Sequence, residues 1–76
     1  MSVCPITSLS KGMRAKVAEV EGEGALRSRL AALGVRPGEE VTLLRVSPLR
    51  RTYLLGTEES VCALGKEAAS CVKVER

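Results

Sequence analysis

Residues 26–41 read Leu26-Arg27-Ser28-Arg29-Leu30-Ala31-Ala32-Leu33-Gly34-Val35-Arg36-Pro37-Gly38-Glu39-Glu40-Val41, and this stretch decides the class of fold. Leu26, Leu30 and Leu33 recur at helical spacing, with Arg27 and Arg29 outside the stripe. Gly34 stands where a helix C-cap belongs, and Pro37 follows shortly after. The spacing predicts one short helix over Ala25–Leu33. At about two to three turns it is too short to persist without packing on other elements. It should therefore plug or cover a sheet. Pro37-Gly38 then makes a turn that opens a strand running from Val41 to Val46.

Working outward from this stretch, both flanks read as strands. On the N-terminal side, Gly22-Glu23-Gly24 breaks a strand in which Met13 to Val17 alternate apolar and polar. The alternation slips at Val17-Ala18-Glu19-Val20, and a bulge there would put both valines inside, as in a strand curling into a small barrel. Pro5 to Gly12 is a lead-in, with Ile6 and Leu9 available to tuck under that strand. On the C-terminal side, Val41 and Leu43 fall on one side of the next strand, Leu44 and Val46 on the other, which predicts a second bend. Ser47-Pro48 ends it, since proline cannot donate to a ladder. Tyr53 and Leu55 mark a third strand, Glu58-Glu59-Ser60 a hairpin loop, and Cys62 and Leu64 a fourth strand. Gly65 to Ser70 suits a single helical turn before a fifth strand at Val72 and Val74. The expectation is a mostly-β, five-stranded small barrel with one short α-helix after the first strand, a single domain over residues 1–76.

Composition narrows the chemistry. A chain of 76 residues has room for one domain with a small core. Tyr53 is the lone aromatic residue, so the core must be aliphatic, and the row of exposed aromatics that stacks single-stranded nucleic acid is missing. Net charge is +3 and the pI near 9.0, with the basic residues mostly Arg. That balance suits either an acidic partner or a solvated surface of alternating Glu and Arg. Arg45, Arg50 and Arg51 form a short basic cluster around Ser47-Pro48-Leu49, too small for a basic arm.

The inventory does not support catalysis. With no His, the commonest general base and the commonest metal ligand are both missing. Cys4, Cys62 and Cys71 are odd in number and lack CxxC spacing, which argues against structural zinc and for reduced thiols in a cytoplasm. Glu39-Glu40 and Glu58-Glu59 are adjacent pairs, and neighbours on a strand point to opposite faces, so neither makes a catalytic dyad. No converging set of imidazole, carboxylate or thiolate ligands for ferrous iron is readable, and no cofactor is implied. Gly22-Glu23-Gly24 lacks the length and the Lys of a phosphate loop. Neither a secretory leader nor an apolar run of spanning length is visible.

Three segments together resemble the FeoA family. They are Leu9-Ser10-Lys11-Gly12, the Leu26–Val41 stretch with its Leu-Gly and x-Pro-Gly, and Ala63-Leu64-Gly65-Lys66-Glu67-Ala68-Ala69-Ser70-Cys71-Val72-Lys73-Val74. They stand in the family's order and cover nearly the whole chain. The chain departs from the pattern after Ser47-Pro48-Leu49, where the family commonly runs Gly-Asp-Pro and here stand Arg50, Arg51 and Thr52. Glu58-Glu59 replaces the usual Arg-Gly, and Gly65 a frequent arginine. The resemblance implies an SH3-like barrel and a cytosolic accessory role in bacterial ferrous-iron uptake, beside a FeoB-type membrane transporter with its GTP-binding domain. It also implies kinship with the C-terminal domain of DtxR-type iron-dependent repressors.

The candidate partner surface is the set Arg27, Arg29, Arg45, Arg50, Arg51 and Tyr53. A tyrosine flanked by arginines has the composition of an interface hot spot, and equally Tyr53 can be the one large core residue of its strand. The leucines of the helix can likewise be a groove-binding stripe or simply its core face. Two other functions fit the residues: a nucleic-acid-binding SH3-like module, whose affinity would fall steeply with salt, and a stand-alone regulatory domain of the repressor type. An exposed barrel edge could also pair two copies of the chain.

Overall fold

The computed structural model describes every residue except Met1, Glu59 and Arg76. The chain runs through β1 (Val3–Pro5), a 3-10 turn (Ile6–Ser8), β2 (Arg14–Val20), α1 (Gly24–Ala32) and β3 (Glu40–Val46). It continues through β4 (Thr52–Gly56), β5 (Val61–Gly65), α2 (Lys66–Ser70) and β6 (Val72–Glu75). All strands join one antiparallel sheet in the order β1-β6-β2-β3-β4-β5. Among the described residues the expected count of five strands is thus corrected to six, and α1 follows the second strand rather than the first. The added strand pairs Val3 with Glu75 and Cys4 with Val74. Three residues carry no readable period, and their partner lies at the far end of the chain.

Both slips of the apolar period are real irregularities. Pairing of β2 with β6 shifts between Val17 and Glu19, so that Val17 is buried and Val20 packs against the core. Pairing of β3 with β4 shifts between Leu43 and Arg45, with Val41 and Leu43 buried and Val46 packed against the same core. These bends curl the sheet into the small SH3-like barrel. Its interior is aliphatic apart from Tyr53 and Cys62, and among the described residues it buries no charged or polar side chain. Ile6 and Leu9 enter it from the lead-in, and Ala69 from α2. Each fully buried leucine, isoleucine or valine stabilises the fold by about 1.5–3 kcal/mol. The hairpin loop expected at Glu58-Glu59-Ser60 does join β4 to β5, although Glu59 itself lies outside the described residues.

Helix α1 presents only part of its expected stripe to the core. Leu30 is buried and Leu26 packs against the core from its margin, but Leu33 is 39% exposed. The reason lies in the helix end. Gly34 N–H donates to the Ala31 carbonyl at 3.0 Å and Val35 N–H to that of Leu30 at 2.9 Å, a Schellman motif. Gly34 supplies the left-handed backbone this needs, with φ +95. The chain turns at Leu33, so its side chain leaves the face that Leu30 occupies, and Val35 takes the buried place instead. Thr57 and Ser60 direct their hydroxyls at the freed Leu33 carbonyl, at 3.5 and 3.4 Å, tying the β4–β5 loop to the helix. Among the described residues no helix is long and apolar enough to cross a membrane.

Candidate functional site

The β3–β4 turn, Ser47 to Arg51, sets most of the candidate residues. Ser47 organises it: its N–H donates to the Thr52 carbonyl at 3.0 Å, and its carbonyl accepts from Arg50 N–H at 2.8 Å. Its Oγ accepts from the N–H groups of Arg51 and Thr52 at 3.0 and 3.1 Å. Arg50 closes the turn in the left-handed region, φ +55, a conformation that is uncommon outside glycine. The tip therefore projects Leu49, Arg50 and Arg51 into solvent.

The fold brings together some of the candidate arginines and separates others. Arg29 from α1 and Arg51 from the turn line one open cleft of about 710 Å³ between α1 and α2. Leu26, Ala68 and Cys71 give this cleft apolar wall, and Lys66 adds a third cation, with Glu23 and Glu67 also on its lining. Arg45 stands apart on β3, at a shallow groove of about 260 Å³ beside Pro48 and Leu54. Arg50 faces a third cleft of about 340 Å³, lined by Lys11 and by residues of the lead-in. Arg27 is exposed on α1 and lines none of these three clefts.

Tyr53 is only 2% exposed and belongs to the core, opposite Val46 on β3. Its ring offers no face to a partner. Of the two readings of this residue, the core one describes its ring.

Ion pairing sorts the cations further. Arg14 meets Glu40 at 3.8 Å, Arg36 meets Glu39 at 3.9 Å and Lys73 meets Glu21 at 3.6 Å, all partly or fully exposed pairs of little energetic weight. Among the described residues Arg27, Arg29, Arg45, Arg50 and Arg51 have no carboxylate within pairing distance. The five candidate arginines are thus available to an outside anion. Two further cations, Lys11 and Lys66, each line one of these three clefts but were not singled out in the sequence. Both stand in segments that carry the family resemblance, which was their only signal.

The thiols are free, with Cys62 buried and Cys4 and Cys71 half-buried. Burial pushes the Cys62 thiol above its usual range, which disfavours the reactive thiolate. Among the described residues no three His, Cys, Asp or Glu side chains converge as a metal site.

The FeoA domain model matches residues 4–76 of the chain. No curated protein matches the chain. Among solved structures, the FeoA protein from Chlorobium tepidum is 28% identical, with a TM-score of 0.87 over 93% of this chain and 68% of its own. A crystal structure of an iron uptake regulatory protein (FeoA) is 23% identical, with a TM-score of 0.85 over 99% of this chain and 97% of its own. A manganese-dependent transcriptional repressor shares the fold at 15% identity, with a TM-score of 0.86 over 95% of this chain and 40% of its own.

Proposed function

Since the chain belongs to the FeoA family, which is associated with iron transport, we propose that it is a cytosolic accessory protein of ferrous-iron uptake. On this reading it binds a FeoB-type membrane transporter through that transporter's cytosolic GTP-binding domain and modulates transport or assembly. The observation that carries the proposal is the family match over residues 4–76, nearly the whole chain. The surface favours contact through the cleft between α1 and α2, where Arg29, Arg51 and Lys66 surround apolar wall from Leu26 and Ala68. Arg27, Arg45 and Arg50 extend the positive rim to neighbouring faces. An apolar floor whose rim sets three cations, Arg29, Arg51 and Lys66, against the carboxylates of Glu23 and Glu67 fits an acidic segment that carries one aliphatic or aromatic anchor.

The test is a backbone amide NMR titration of this protein with the cognate transporter's GTP-binding domain, with and without GTP. Shifts localised to Leu26, Arg29, Arg51 and Lys66 are expected. An absence of shifts at tenfold excess, repeated with the full-length transporter in a lipid disc, rejects the reading. The buried state of Tyr53 weighs against a stacking nucleic-acid module, since it removes the only aromatic face the chain has.

A further inference from the structure

The third cleft carries two cations and no carboxylate, whereas the first mixes its cations with Glu23 and Glu67 and the second holds Arg45 alone. Lys11 and Arg50 line the third together with Thr7, Ser8, Ser10 and Tyr53. Among the described residues the side chains of Thr7, Ser8, Ser10, Lys11, Arg50 and Tyr53 make no donor bond within the protein. Four hydroxyls elsewhere in the chain behave differently. Those of Ser47, Thr57, Ser60 and Ser70 are all engaged with backbone.

Tyr53 is the most informative member. The residue is 2% exposed, yet its hydroxyl has no hydrogen-bond partner among the described residues. A tyrosine hydroxyl buried this far is ordinarily paired. No described polar side-chain atom is both fully buried and unpartnered, so the hydroxyl must be the part of Tyr53 that reaches solvent. It does so where the residue lines this cleft. The result is a pocket furnished with donors and two positive charges, and with no acidic acceptor to satisfy them.

We infer that this cleft is a binding site for a phosphate-type dianion, a phosphomonoester or diphosphate group. Two cations match the charge of a phosphomonoester near neutral pH, and its three terminal oxygens match a set of converging hydroxyls and guanidinium N–H groups. A carboxylate, with one charge and two oxygens, would leave donors unmet. Arg50 is the central ligand: it stands at the left-handed position of the turn and brings a forked donor to the cleft that Lys11 also lines. The cleft's 340 Å³ admits more than a single phosphate group. This inference does not rest on the transporter reading: Arg50 belongs to the outer rim of that surface, but no residue of this cleft lines the one between α1 and α2.

The experiment is an amide NMR titration of the full chain with inorganic phosphate, pyrophosphate and GDP at constant ionic strength, using chloride and acetate as controls. Saturable shifts confined to residues 7–11 and 50–53 are expected for the phosphate-type anions, with acetate and chloride giving none. Tyr53→Phe keeps the ring in the core and removes one donor, so affinity should fall about tenfold, the loss of a hydrogen bond to a charged group. Arg50→Gly, which keeps the turn foldable, should abolish saturation, whereas Lys16→Ala removes an exposed lysine elsewhere and should leave the titration unchanged. Co-sedimentation with phosphatidic-acid vesicles separates a lipid headgroup from a soluble phosphate: weakening of either kind of binding by both Arg50→Gly and Tyr53→Phe supports the site. No saturable binding in any arm, or binding that either substitution leaves unchanged, overturns it.

Discussion

Gly34 and Arg50 share a left-handed backbone, at φ +95 and +55, and put it to opposite uses. At Gly34 the conformation serves packing. The residue is buried, the helix end closes over it, and a Cβ added there would stand 2.9 Å from Thr57 Oγ1. At Arg50 it serves display. The residue is exposed, its turn is held by Ser47, and a bulky side chain occupies a conformation that glycine adopts without cost. One position could hold no other residue without loss. The other holds a residue that the backbone alone would not select. Where strain is tolerated at a solvent-facing turn, stability does not explain the choice of side chain, and function is the natural candidate.

The comparison breaks first, and with the largest effect, at Gly34. Gly34→Ala should destabilise the domain by about 2–4 kcal/mol, from left-handed strain together with an overpacked contact. Against the roughly 5–10 kcal/mol expected of a small domain, this is a large fraction. Urea unfolding with unchanged slope would read it as a lowered midpoint. A loss under about 0.5 kcal/mol would show that the helix end can rearrange freely, contrary to its hydrogen-bonded closure.

Thr57 sharpens the same point with a smaller effect. Its Oγ1 accepts from Ser60 N–H at 3.1 Å, donates to the Ser60 carbonyl at 3.0 Å, and lies 3.5 Å from the Leu33 carbonyl. Thr57→Ala alone should cost about 1 kcal/mol, the net value of a hydrogen-bonded hydroxyl at a loop. In the Gly34→Ala background the same change should cost little or nothing, because it removes the atom that the new methyl group meets. A double-mutant cycle by urea unfolding should return a coupling of about 1 kcal/mol or more. Strict additivity would mean that the two residues do not touch in solution.

How far these features could be read from the sequence follows from their range. Both bulges were legible at Val17–Val20 and Val41–Val46, because a period of two that slips by one leaves a local mark. The helix end was legible in Leu33-Gly34 for the same reason, although the pattern did not reveal that Leu33 itself turns outward. Strand β1 was not legible: its partner β6 is the last strand of the chain, and pairing at that range leaves no local signal. The candidate site divides along the same line. Arg50 and Arg51 stood out as a cluster, but adjacent residues line different clefts, and Arg51 shares its cleft with Arg29 from the helix. The alternation around Tyr53 fits either an inward or an outward ring, and only the curl of the sheet decides between them. The donor set of Thr7, Ser8, Ser10 and Lys11 became visible once the lead-in was placed beside the turn.

The smallest expected effect has the opposite sign. Arg50→Gly should stabilise the domain by about 0.5–1 kcal/mol, since release of left-handed strain outweighs the greater freedom glycine gives the unfolded chain. No native ion pair is lost with the side chain among the described residues. The turn keeps both bonds to Ser47 Oγ, because they come from the Arg51 and Thr52 backbone. Thermal unfolding should show a midpoint raised by a few degrees, on the scale of about 4–8 °C per kcal/mol for a domain of this size. Destabilisation on removing Arg50 would mean that its side chain packs on the barrel, and the contrast with Gly34 would collapse into two structural positions. A gain in stability joined to a loss of phosphate binding would separate the two terms at one residue: the backbone favours glycine there, and the bound anion requires arginine.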